Sequence, residues 1–274
     1  MKLSQFNRFI IFNRHHFIFN SKTRCLALLD EEGIELLEKI KNNPNFISDT
    51  QTYKSMLDGG IIVGNDFSEI AEVSESYMQF KKGSNKSAFG FVVLPTLNCI
   101  YDCPYCYEDK KPHQMSTDTA TCVEKFIINS IENEATVAIT WYGGEPLMAT
   151  HIIDKISETV INHCDATNKK YDSFIVTNGY LIEDATLEFF KRNRISGCQI
   201  TLDGAEETHN TKRFLKTNKT GTFKKTISGI LKVLSINMSL SIRINVDKNN
   251  LNELNELLYF LKKEGIGTAK ISLG

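Results

Sequence analysis

The chain has 274 residues, with 32 Lys and Arg against 33 Asp and Glu, a formal net charge of −1. That balance argues against a nucleic-acid sleeve, and 41% hydrophobic with 24% charged residues suits a folded globular protein, not a disordered one. No stretch approaches the ~20 apolar residues that span a bilayer, and the N-terminal apolar runs, broken by Asn7-Arg8 and Asn13-Arg14, do not read as a signal peptide.

In chain order, Phe9 to Phe12 and Phe17 to Phe19 are aromatic and β-branched runs around Asn13-Arg14-His15-His16, which predicts a hairpin. Leu26, Leu28 and Leu29 follow. Asp30 can cap a helix whose Ile34, Leu37 and Ile40 recur at helical spacing, and Asn42-Asn43-Pro44 ends it. A second short helix ends near Leu57, and Asp58-Gly59-Gly60 turns into a strand at Ile61-Ile62-Val63. Strands, helices and a strand predict a small α+β or winged-helix-like module over residues 1–82. Ser68 to Phe80 reads as a linking helix, and the polar run at 83–88 as a linker.

From residue 89 to 274 strand and helix patterns alternate. Strands are expected at 89–97, 136–142, 173–177, 198–202, 240–246 and 269–273. Between them lie helical stripes: Val123, Phe126, Ile127 and Ile131; Ile152, Ile153, Ile156 and Val160; Leu187 to Phe190; Phe223, Ile227, Ile230, Leu231 and Leu234; Leu251, Leu254, Leu257, Leu258 and Leu261. This repetition predicts a parallel sheet with helices outside it, an α/β fold in the form of a partial (β/α)6 TIM-like barrel ending at strand six. Sites in such a fold gather at the C-terminal ends of the strands. Cys99 follows strand one, Gly143-Gly144-Glu145-Pro146 strand two, Asn178-Gly179 strand three and Asp203-Gly204 strand four.

Of seven cysteines, Cys99, Cys103 and Cys106 fall within one short loop. Thiolates are preferred ligands of iron–sulfur clusters and of zinc. Structural zinc takes four closed ligands, and here three cysteines are crowded together without a partner pair. His113 and Cys122 are conceivable fourth ligands at unfamiliar spacings. Three thiolates on a cubane leave one iron open to a small molecule. A tight cluster among scattered singles also suggests a reducing, cytoplasmic setting. Cys25, Cys122, Cys164 and Cys198 read as small core residues, and His15, His16, His151 and His163 as solvent-exposed. Arg243 and Asn245 could line a cavity or pair with acids.

The Cys99-Ile-Tyr-Asp-Cys103-Pro-Tyr-Cys106 loop resembles the signature of the radical S-adenosylmethionine (SAM) superfamily, with Tyr105 at the aromatic position. Gly143-Gly144-Glu145-Pro146 matches the family's glycine-rich segment. Thr201-Leu202-Asp203-Gly204, with His209-Asn210 and Arg213, is similar to the strand-four region of the branch containing anaerobic sulfatase-maturating enzymes and peptide maturases, though Thr201 stands where Ser is usual. The resemblance covers residues 89–274 and implies two cofactors: a 4Fe–4S cluster held by Cys99, Cys103 and Cys106, and SAM at its open iron. Reductive cleavage of SAM would give a 5′-deoxyadenosyl radical that takes a hydrogen atom from substrate.

Implied SAM contacts are the backbone at Gly143 and Gly144, a hydrogen bond accepted by Glu145, adenine against Tyr105, ribose at Thr201, the carboxylate at Arg213, and adenine along the backbone at Leu273. No catalytic acid or base is assigned. The branch implies a peptide or protein substrate, foremost maturation of a ribosomally made peptide, with the N-terminal module pairing an edge strand with it. The alternatives are formylglycine formation on a sulfatase, a non-catalytic cluster-binding module and a zinc protein. An electron donor such as flavodoxin or ferredoxin is implied; nucleic acid and membrane are not. Because the branch usually adds a C-terminal SPASM domain with auxiliary clusters, the chain is expected to be a fragment or one half of a split enzyme, with a separate C-terminal half as a further partner.

Overall fold

The computed structural model describes residues 1–84, 88–108, 112–131, 136–267 and 269–273. The chain divides into two compact units, Met1–Ser84 and Asn85–Gly274. The linker expected at 83–88 is only partly in view: a helix runs through Ser84, a strand starts at Ala88, and residues 85–87 lie outside the described residues.

In the first unit β1 (Lys2–Leu3) pairs antiparallel with β5 (Ile62–Val63). A separate meander joins β2 (Asn7–Phe12), β3 (His15–Asn20) and β4 (Leu26–Leu29). The hairpin turn is only Asn13-Arg14, with φ of 48° and 66°, and Phe12 pairs with His15. Positive φ at both central residues is what a two-residue hairpin matching strand twist requires. His15 and His16, read with the turn, therefore belong to β3. Asp30 caps α1 (Glu31–Asn42) by accepting from the Gly33 N–H at 2.8 Å, and Thr50 caps α2 (Gln51–Asp58). The last helix, α3, is Glu69–Ser84. Ile18, Leu29, Leu36, Leu37, Ile40, Tyr53, Met56, Ile61 and Ile62 form the core. Among the described residues β2 has a strand partner on one side only and is an edge strand.

The second unit is six parallel strands in the order β11-β10-β9-β8-β7-β6. They are β6 (Ala88–Thr96), β7 (Thr136–Gly143), β8 (Lys170–Thr177), β9 (Ile195–Leu202), β10 (Ser239–Ile244) and β11 (Lys270–Leu273). Strictly sequential order with a helix in each crossover is half-barrel topology, and the expected partial (β/α)6 barrel is what forms. The crossovers carry α4 (Thr117–Ser130), α5 (Thr150–Ala166), α6 (Asp184–Arg192), α7 (Glu206–Lys212) with α8 (Phe223–Ser235), and α9 (Leu254–Lys263).

Period two sorts each strand. Val137, Ile139 and Trp141, Cys198, Ile200 and Leu202, and Leu240, Ile242 and Ile244 face the helices in one core with Ile153, Ile156, Phe190, Ile230 and Leu257. Each aliphatic or Phe side chain among them contributes about 1.5–3 kcal/mol by leaving water. Tyr142, Gln199, Thr201, Arg243 and Asn245 are offset by one residue and face the other way, where they line a cavity.

Cys122 does not join the core. It is exposed on α4, whose buried side is Ala120, Glu124 and Ile127, while Cys164 and Cys198 are buried as expected. Phe126 of the same helix is also exposed and touches Phe91 edge-on. No helix among the described residues is long and apolar enough to cross a membrane.

Candidate active site

The loop after β6 is held before any ligand is considered. Gly144 donates its N–H to Thr96 O at 3.0 Å and Glu145 to Asn98 O at 2.8 Å, tying the ends of β6 and β7 together. A Cβ on Gly144 would stand 2.4 Å from the carbonyl oxygens of Asn98 and Leu97, so no other residue fits there without backbone movement. Gly143 has φ of +112° and would bring its Cβ within 2.4 Å of Thr96 O. On the far side, residues 214–221 form a strap. Lys216 donates its N–H to Ile100 O at 2.8 Å, Asp102 to Phe214 O at 3.1 Å, and Lys219 pairs with Asp102 at 2.6 Å.

Cys99, Cys103 and Cys106 all line a cavity of about 460 Å3, together with Tyr105, Gly143, Gly144, Thr201 and Arg213. Motifs far apart in the sequence thus meet on one face, at the C-terminal ends of the strands. Cys99 Sγ accepts from the Tyr101 N–H at 3.4 Å and from Asn178 Nδ2 at 3.8 Å, and burial pushes its thiol up to about 11. Cys106 is exposed and Cys103 buried. The thiols share a cavity, not a point: among the described residues no three His, Cys, Asp or Glu side chains form a closed metal site. Neither His113 nor Cys122 lines the cavity.

Asp203 is the hub of the site; the sequence places it at the end of strand four but gives it no contact. It is fully buried. Its Oδ2 accepts from the Tyr105 hydroxyl and from Arg213 NH1, 3.5 Å away, while Oδ1 accepts from Asn245 Nδ2 at 3.0 Å. Arg213 NH1 also donates to the Tyr105 oxygen at 2.7 Å. The guanidinium lies over the Tyr101 ring, 5.5 Å from its centre. Arg213 is 9% exposed and its Nε has no partner among the described residues. Burial raises the Tyr105 hydroxyl, which stays a neutral donor.

His209 ties this pair from behind. Its Nδ1 accepts from the Asp203 N–H at 3.4 Å, and its Nε2 meets Thr222 Oγ1 at 3.1 Å. Thr222 spends its own proton on Arg213 O at 2.8 Å, so Nε2 carries the imidazole proton. Burial, then the Arg213 charge, holds His209 down to about 3, and it is neutral. The unfolded chain takes up this proton below about pH 6.5 and the folded one does not, so stability falls as pH drops from 6.5 towards 3. At about 1.4 kcal/mol per pH unit the loss reaches about 2 kcal/mol by pH 5. Urea unfolding at pH 7.5 and 5.0 should show the native chain losing about 2 kcal/mol more than His209→Gln; equal losses would contradict the assignment.

Two expected site residues are placed differently. Glu145 is 0% exposed. Its carboxylate accepts from Leu147 N, Thr177 Oγ1 and Asn178 N at 3.0, 2.7 and 2.8 Å, so it caps the 3-10 turn Pro146–Ala149 and joins strand ends instead of opening to a ligand. Burial raises its pKa against those three donors. Leu273 pairs in register with Ile244 on the edge strand β11, on the helix-facing side of the sheet, 64% exposed and away from the cavity. Its neighbour Ser272 shares the cavity-facing side with Arg243. Gln199, Tyr142, Asn178 and Glu108 line the cavity without having been assigned to it; Gln199 was detectable as the residue two before Thr201 on a strand.

The radical SAM superfamily model matches residues 93–261. The cysteine-type anaerobic sulfatase-maturating enzyme of Clostridium novyi is 29% identical over 61% of this chain and 46% of that protein. The serine-type enzyme of Bacteroides thetaiotaomicron is 33% identical over 48% of this chain and 33% of that protein. The solved structure of native anSMEcpe with bound AdoMet and Cp18Cys peptide superposes with a TM-score of 0.60 at 22% identity, covering 68% of this chain and 51% of the other, which shows a shared fold. The chain spans less than half the length of the two sulfatase-maturating relatives. With the family match covering more than half of its length, the chain belongs to the radical SAM superfamily, enzymes whose cofactors are a 4Fe–4S cluster and S-adenosylmethionine.

Proposed function

We propose that this chain holds a 4Fe–4S cluster on Cys99, Cys103 and Cys106 and cleaves SAM reductively in order to modify a peptide or protein. The observation that carries this reading is one cavity shared by three thiols, a glycine cradle and a buried arginine with a free Nε. The donor chemistry fits: soft thiolates suit an iron–sulfur cluster, and the crowded backbone at Gly144 admits close approach only because a side chain is missing. When bound, the cluster supplies the electron that breaks a carbon–sulfur bond of the sulfonium.

The chain's own residues bind and orient. Arg213 Nε and its fixed guanidinium meet the SAM carboxylate. Thr201 meets ribose, and the Tyr105 ring, held by Asp203, borders adenine. Glu145 acts indirectly, by fixing the turn that presents Gly143 and Gly144. Asn178 orients Cys99.

For the substrate, residues 1–82 serve as the recognition element. The free edge of β2, with Ile10 and Phe12 exposed on the sheet's outer face, suits addition of a peptide strand. The relatives support this class: one is a radical SAM cyclopropyl synthase, TigE, from Paramaledivibacter caminithermalis, 25% identical over 66% of this chain. Formylglycine formation on a sulfatase is the second reading, favoured by the two maturating enzymes. Anaerobic reconstitution tests the metal. Wild type should bind about four irons per chain and turn brown, and the variant with Cys99, Cys103 and Cys106 all changed to Ala should bind none. Zinc without iron in the wild type would sink the proposal.

A further inference from the structure

Arg243 is an exposed arginine on the cavity side of β10, and the roles above leave it unused. In register it stands between Thr201 of β9 and Ser272 of β11, all three on the same sheet face. Thr201 is taken by ribose in the reading above, which leaves the guanidinium and the Ser272 hydroxyl on this face, donors that suit an oxyanion.

The side chain is also aimed. Its Nε–H donates to Asn245 Oδ1 at 2.9 Å. Asn245 is itself fixed: its Nδ2 donates to Asp203 Oδ1 at 3.0 Å, and its carbonyl accepts from Asn250 Nδ2 at 2.7 Å. Asn250 is buried and donates from the same nitrogen to Asp203 O at 2.9 Å. Only the two terminal nitrogens of Arg243 remain, and among the described residues they have neither a hydrogen-bond partner nor a carboxylate within ion-pair distance.

The contrast with Arg213 matters. Arg213 is buried, neutralised by Asp203, and touches Tyr105 and Tyr101 of the cysteine loop. Arg243 belongs to β10, four strands across the sheet from β6, whose end carries that loop. Two arginines thus line one cavity: Arg213 is compensated by Asp203, whereas Arg243 reaches that carboxylate only through Asn245 and has none of its own among the described residues. The first suffices for the cofactor carboxylate.

We propose that Arg243, beside Ser272 and aimed by Asn245, is a substrate subsite that takes a carboxylate of the peptide: an Asp or Glu side chain. The inference rests on the peptide reading above.

The test uses binding without reductant, so it does not depend on turnover. Calorimetry on the protein loaded with cluster and SAM compares two probes, N-acetyl-Ala-Asp-Ala-amide and N-acetyl-Ala-Asn-Ala-amide. The aspartyl probe is expected to bind at least about tenfold tighter, equivalent to about 1.4 kcal/mol. Arg243→Gln should erase that preference, and Arg243→Glu should instead favour N-acetyl-Ala-Lys-Ala-amide, a gain of binding that no folding defect produces. Equal binding of the two probes to the wild type, or a preference surviving in Arg243→Gln, overturns the proposal. So does Arg243-dependent binding of inorganic phosphate or of SAM itself in place of the aspartyl probe, since the subsite would then belong to another anion. SAM cleavage by the wild type is measured separately. A protein that cleaves SAM yet shows no aspartyl preference fails only this inference, and one that does not cleave SAM fails the functional reading.

Discussion

Asp203→Ala is expected to lower stability by about 3–5 kcal/mol, because it strands the buried Arg213 charge. The carboxylate accepts from Tyr105, Arg213 and Asn245, and so gathers three segments on one buried group. Without it Arg213 keeps the Tyr105 oxygen at 2.7 Å but loses its counter-charge, and the low-dielectric surroundings make an unpaired cation costly. The double variant Asp203→Ala/Arg213→Met should regain part of that stability, since removing both partners leaves no lone charge to bury. It should not regain SAM binding, since the contact proposed for the SAM carboxylate is the Arg213 guanidinium. Urea denaturation of the three proteins, with SAM affinity measured beside it, checks both halves. A single variant that loses less than about 1 kcal/mol would show that the network is ornamental to the fold.

Gly144→Ala should be nearly as damaging, and its effect should fall on the metal. The new methyl would stand 2.4 Å from two backbone carbonyl oxygens of the cysteine loop, one of which also holds the Glu145 N–H. Backbone cannot yield as the end of a side chain can, so the loop bearing Cys99 moves. The expected loss is about 3 kcal/mol or more, with iron retention below about a tenth of wild type. Gly90→Ala is the matched control, because a Cβ there meets nothing within 4 Å. If both variants reconstitute equally well, the cradle at Gly144 is not what shapes the site.

The sheet could be read in the sequence because its helix-facing residues repeat with period two: Leu240, Ile242, Ile244. Strands three and four begin three residues earlier than expected, at Lys170 and Ile195, because Lys170, Asp172 and Gly197 interrupt the apolar pattern while their backbones still pair, and Ser196 falls at a bulge where the register shifts. The cysteines could be read because all three lie in one loop, so proximity needs no fold. The place of Asp203 at a strand end could be read too, but not its role, which comes from Tyr105, Arg213, Asn245 and Asn250 and is assembled only by folding. Glu145 was misjudged for a related reason. A motif shows that a carboxylate is near a site but not which side of the loop it faces, and three donors behind the loop claimed it. For Leu273, expected through its backbone, strand parity turns only the side chain to the helix-facing side.

The most direct test of the central claim is formation of 5′-deoxyadenosine by the anaerobically reconstituted chain with SAM and dithionite. The account predicts formation by the wild type, reduced to background in Cys99→Ala, Cys103→Ala and Cys106→Ala and strongly lowered in Arg213→Met. A protein loaded with its 4Fe–4S cluster that yields no 5′-deoxyadenosine, or one that yields it equally after Cys103→Ala, would contradict it.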